Sequence, residues 1–170
     1  MKKSIVSLLL IGFFSFPITA QKNAYVDTEY ILGKIPAYEN AQNKLDAQSE
    51  TWKKEIEAKY KNVEQKYKDY QTESALLSSE MKRQREDEII RLENEANELK
   101  EKYFGNEGEL YKKRQELIKP IQDEVYNAIK EIATEGNYSF IFDKAADMSL
   151  IYTDPKYDIS DDILKKLGYN

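Results

Sequence analysis

Between Ala37 and Phe104 the chain contains neither glycine nor proline. Nearly every residue there is a good helix former or a charge, and apolar side chains recur at three, four and seven: Leu45, Trp52, Ile56, Tyr60, Val63, Tyr67, Tyr70, Leu77. That spacing predicts helix with one narrow apolar seam. A seam so thin cannot stabilise a lone domain, so the stretch must pack against something or enclose something.

Counting along the seam gives two registers. Leu45 and Trp52 are seven apart, and Ile56, Val63, Tyr70 and Leu77 form a second heptad series with Tyr60 and Tyr67 between them. The step of four from Trp52 to Ile56 acts as a stutter. A single helix from Ala37 to Lys119 would be about 125 Å long at 1.5 Å per residue, so a hairpin is expected. Its turn is placed at Leu76–Glu80, where serine is a favoured N-cap and Glu80 suits the positive end of the next helix. On the return, Leu92, Ala96, Leu99, Tyr103, Leu110 and Leu117 continue the seam. Gly105 and Gly108 each cost about 1 kcal/mol against alanine in a helix interior, which predicts a weak or bent point.

The flanks have a different texture. Before the hairpin, Ala24–Leu32 reads as a strand with Ala24 and Val26 on one face, although Tyr30–Leu32 fits a helical turn equally well; Gly33 and Pro36 then punctuate it. After Pro120, which ends or kinks the arm, Ile121, Val125, Ile129 and Ile132 form a denser stripe beside Ala128. Gly136 and Asn137 close that helix. Tyr138, Phe140 and Phe142 alternate with Ser139, Ile141 and Asp143, as in a strand, and Ser149–Thr153 reads as a second one containing Leu150 and Tyr152. Ser160 is expected to cap a last short helix with Asp161 and Asp162 at its start, Lys165 and Lys166 at its end and Gly168 beyond.

The fold class expected is therefore α+β and mainly helical, with residues 37–119 as a long antiparallel helical hairpin and 21–36 with 120–170 as a small body made from both chain ends. That body has 67 residues. Domains of that size bury only about 60% of their chain surface, and short strands with open edges pair readily with another copy. Self-association is expected, with Ala24, Val26, Tyr138, Phe140, Phe142, Leu150 and Tyr152 as candidate oligomerisation residues.

Ahead of this lies a leader pattern: Lys2 and Lys3, a short apolar run from Ile5 to Phe16, then Pro17 and Ala20. A signal peptide of residues 1–20 is expected; the run is shorter than the roughly 20 residues a membrane span requires, so no stable transmembrane insertion is expected. Without those residues the chain carries 24 basic and 31 acidic side chains, a net charge of −7, which gives no general attraction to nucleic acid. Cysteine and histidine are both absent. Their absence excludes Ser-His-Asp and Cys-His catalysis and the commonest metal ligand. No phosphate-binding glycine loop is present, and Glu86-Asp87-Glu88 spreads around a helix as a solvated face. An enzyme, a cofactor and a metal site are not expected.

Two features admit a binding role. The aromatic row Trp52, Tyr60, Tyr67 and Tyr70 reads first as packing inside the hairpin, with client contact as the alternative. Leu76, Leu77 and Met81 at the tip suit partner contact and tip self-packing equally.

In its layout the chain resembles the Skp family, also called OmpH-like, of periplasmic chaperones. The resemblance is carried by Ala24-Tyr25-Val26-Asp27, the Lys/Glu-rich hairpin, Leu117-Ile118-Lys119-Pro120-Ile121, Ser139-Phe140-Ile141-Phe142-Asp143 and Asp158-Ile159-Ser160. It implies a homotrimer in the periplasm of a Gram-negative bacterium, with three hairpins around a cavity that holds unfolded outer-membrane proteins without ATP. The best-known members are strongly basic, whereas the hairpin here has 17 basic and 19 acidic residues. That balance argues against a strong lipopolysaccharide site and for apolar, less salt-sensitive client contacts. The rival reading is a structural coiled-coil adaptor of the envelope that docks one partner through its tip.

Overall fold

The protein is described from a computed structural model, which covers residues 21–146 and 150–169. The leader expectation, and Ser149 of the expected second strand, lie outside the described residues. The elements run β1 (Lys22–Val26), α1 (Thr28–Gly33), α2 (Pro36–Glu73), α3 (Ser79–Phe104), α4 (Glu109–Leu117), α5 (Lys119–Glu135), β2 (Tyr138–Asp143) and α6 (Ser160–Lys166). Short 3-10 turns occupy Ser74–Leu76 and Pro155–Tyr157.

The architecture is mainly helical, as the sequence pattern requires, with a small sheet that has two strands among the described residues where the pattern predicts three. β1 and β2 pair in parallel, with Ala24 opposite Ile141 and Val26 opposite Asp143. A parallel pair needs a long crossover, and here the crossover is the entire hairpin. The sheet is two-stranded because Leu150–Thr153 is not a strand. Ile151 is fully exposed and Tyr152 is 80% exposed, and the alternating pattern there has no facing strand among the described residues. Tyr25 instead bridges in parallel to Asp158.

Between those ends one core closes around Val26, Ile31, Ile35, Val125, Ala128, Ile159, Ile163 and Leu164, with Ile121, Ile129, Ile132 and Ile141 against its margin. The stripe on α5 meets α1, α6 and the sheet there. A second small cluster of Ala41, Leu45 and Ile118 joins the root of the hairpin to it. Proline sits in the first turn of both α2 and α5, where its missing N–H is no loss.

Polar bonds finish the closure. Ser160 is buried and lies inside the first turn of α6, which begins after Ile159, so it does not cap the helix. Its hydroxyl donates to Asp158 Oδ1 at 2.6 Å and accepts the Asp27 N–H at 2.9 Å. Thr28 donates from N and Oγ1 to the two oxygens of Asp143. Both chain ends are therefore stitched through side chains more than a hundred positions apart.

Candidate functional site

The hairpin and the outer face of the sheet carry the side chains of interest. α2 has 38 residues, or about 57 Å at 1.5 Å per residue. It turns at Ser74–Ser78, where the Ser78 hydroxyl accepts the Met81 N–H at 3.3 Å and Glu80 occupies the first turn of α3. At this tip Leu76 is 89% exposed and Met81 is 48% exposed, while Leu77 is half-buried.

The aromatic row divides. Trp52 is buried against the returning arm, its ring 4.8 Å from that of Tyr103 and nearly parallel, with Phe104 edge-on at 6.3 Å. Tyr103 also donates its hydroxyl to Glu55 Oε2 at 2.8 Å. Tyr60 is half-buried and donates to Asn97 Oδ1 at 2.6 Å; Tyr70, also half-buried, donates to Glu86 across the arms. Tyr67 stays exposed. The carboxylates holding Tyr70 and Tyr103 raise both phenol pKa values above the ordinary range, chiefly through the hydrogen bond itself. Lys66 lowers the Glu88 carboxyl in the same way, across a 2.9 Å ion pair.

The return arm breaks fully at Gly105–Gly108 and does not merely bend there: α3 ends at Phe104 and α4 starts at Glu109. A Cβ on Gly108 would lie 2.9 Å from both the Lys102 and the Tyr103 carbonyl oxygens, so close approach of the two helix ends requires glycine there. The break sits beside the Trp52 stack.

On the sheet, Ile141 packs toward the core, and a register shift between Lys22 and Asn23 breaks the alternation so that Tyr138 packs there too. Phe140 and Phe142 point the other way from Ile141 and stack at 6.2 Å, 56% and 42% exposed. Beside them lies a cleft of 460 Å³ lined by Ala24, Tyr25, Phe142, Leu150, Tyr152 and Tyr157, among others. Ala24 and Val26 are buried within the chain's own core, Tyr138 lies beneath the Lys22 ammonium at 4.0 Å, and Leu150 is half-buried. Among the described residues β1 is flanked on both sides, while β2 has one unpaired edge.

Sequence reasoning missed Ile90, Tyr111, Tyr126 and Ile151, all exposed. Ile90 had a readable signal: Ile89 holds the seam position, so its neighbour must turn away from it. Among the described residues no group of acids is placed to hold a metal ion, and no helix is long and apolar enough to cross a membrane. The buried polar side chain found there, Ser160, has its hydroxyl fully engaged. What the arrangement offers is apolar and aromatic surface on long arms and on one sheet face.

Comparison with known proteins gives three likenesses. A family model described as "Outer membrane protein (OmpH-like)" matches residues 22–167. An uncharacterized protein of Aquifex aeolicus (strain VF5) is 30% identical over 167 residues, which span 98% of this chain and 96% of that protein. A crystal structure of an OmpH-like protein from Caulobacter crescentus CB15, to which an outer membrane chaperone role is ascribed, superposes with a TM-score of 0.61 at 13% identity. The match covers 87% of this chain and 84% of that one, and at this identity it is a likeness of fold.

Proposed function

The chain belongs to the OmpH-like outer membrane protein family, and from that premise we propose that it is an exported, ATP-independent holdase that keeps unfolded outer-membrane proteins from aggregating. In this reading residues 1–20 are a signal peptide, the mature protein works in the periplasm, and three copies assemble through the body so that their hairpins enclose a client. The observation that carries it is an arm of about 57 Å, anchored at one end in the packed core of the body, along which large apolar side chains stay exposed: Tyr67, Leu76, Met81 and Ile90. Scattered contacts of that kind shield an aggregation-prone chain from its neighbours without demanding one partner shape. Phe140, Phe142 and Tyr152, with the free edge of β2, are the proposed contacts between copies.

The test is aggregation suppression. An outer-membrane β-barrel protein diluted from denaturant should scatter less light in the presence of the mature protein, at a stoichiometry set by the assembly. Because the hairpin is nearly neutral, protection should not be lost as ionic strength rises. Unchanged scattering at threefold molar excess of chain counts against the holdase.

One observation favours a second reading. Leu76, at 89% exposure on the very tip, is where an adaptor would dock a defined partner. Serine at Leu76, Leu77 and Met81 together should abolish an adaptor and only weaken a holdase.

A further inference from the structure

The two halves of the hairpin are held by different chemistry. Near the body the arms share buried side chains: Trp52 and Ile56 from α2 and the fully buried Ala96 from α3, with Tyr103 and Phe104 against the indole. From Glu57 to Glu95, by contrast, no residue of either arm or of the turn is buried. What crosses there is polar: Tyr70 to Glu86, Lys66 to Glu88 at 2.9 Å, Arg85 to Glu73 at 3.3 Å and Lys59 to Glu95 at 3.8 Å.

Exposed ion pairs of this kind contribute about 0–1 kcal/mol each and are screened by salt. The half-buried Val63, Ile89 and Leu92 add only part of what full burial supplies. The distal arms, residues 57–73 and 79–95, are only slightly longer than the roughly 12–15 residues below which isolated helices are marginal in water. The proximal half has opposite properties, since stacked rings and a buried alanine depend little on ionic strength.

From this division we infer that the hairpin is a two-part device: beyond Ile56 and Ala96 the arms separate as a unit when ionic strength rises, while the Trp52–Tyr103–Phe104 stack keeps the proximal half closed. Opening uncovers Val63, Ile89 and Leu92 on the inner faces. The inference rests on burial and cross-arm chemistry, and it stands whether or not the holdase reading does.

The chain has no cysteine, so spin labels can be placed without background. Two double variants of the full mature chain report the two halves: Lys68→Cys with Asp87→Cys in the distal half, and Lys54→Cys with Lys100→Cys in the proximal half, all exposed positions on opposite arms. The distal pair should show a second, longer distance whose share at least doubles between low and high salt, and the proximal pair a single distance at both. Native-state amide exchange of the unlabelled protein gives an independent reading, with distal amides exchanging about tenfold faster than proximal ones and the gap widening with salt. Equal protection along the arms, simultaneous broadening of both pairs, or distal opening indifferent to salt would each overturn the inference.

Discussion

At the scale of single residues the structure concentrates its specificity in side chains that reach across the sequence. Ser160 is the clearest case, because one hydroxyl satisfies both the Asp27 N–H and a carboxylate oxygen of Asp158. Ser160→Ala strands a part-buried backbone donor, which costs roughly 1–3 kcal/mol. Equilibrium urea denaturation should show a lower midpoint with an unchanged slope; a wild-type midpoint would mean that water replaces the hydroxyl freely. None of this was legible beforehand. Serine after Asp158 reads locally as a helix cap, and no periodicity reports a partner 133 positions away. Trp52 was legible only as far as its place in the seam. Its partners Tyr103 and Phe104 depend on how far the return arm has run, which the turn at Ser74–Ser78 decides.

At the scale of elements, pattern and propensity translate well wherever an element is specified by its own residues. The long breaker-free run becomes α2 and α3, the serine cap sits at Ser78, and proline begins α2 and α5. Misreadings arise where an element depends on a neighbour. A strand needs a partner, and Leu150–Thr153 has none among the described residues. Gly105 and Gly108 looked costly by propensity alone, yet the break between α3 and α4 depends on how closely the two helix ends approach, which propensity does not encode. The stack beside that break is testable because Trp52 is the sole tryptophan. Its ring lies against Tyr103 at 4.8 Å, so the native emission should be blue-shifted, and Tyr103→Ala should move it to the red. The same substitution removes the bond to Glu55 and a stacked pair worth about 0.5–1.5 kcal/mol beyond area. Emission unchanged in Tyr103→Ala would show that the indole finds its shelter elsewhere.

At the scale of the whole molecule, the body and the arm make opposite demands. The body must be rigid enough to hold a hairpin at one end only, yet among the described residues its core is drawn from few buried side chains and its sheet has two strands. A second copy placed on the Phe140–Phe142 face would cover the two rings and the free edge of β2 at once, lengthening the sheet and enlarging the core without altering any contact within the chain. In that proposed arrangement Leu150–Thr153, unpaired here, gains a neighbour to pair with, and the alternation in its sequence acquires a partner. Aspartate at both phenylalanines separates assembly from folding. Both rings point away from the core, so Phe140→Asp with Phe142→Asp should leave the helical circular dichroism and the Trp52 emission unchanged. Sedimentation should shift from an oligomer to the mass of one chain, because two desolvated carboxylates facing their own copies are strongly unfavourable. The double variant should then melt at lower temperature than the parent and lose the parent's dependence of melting on concentration, which an assembled protein shows by mass action. An oligomer of parental mass in the double variant would place the contact between copies on another surface, with the exposed Tyr126 face of α5 next in line.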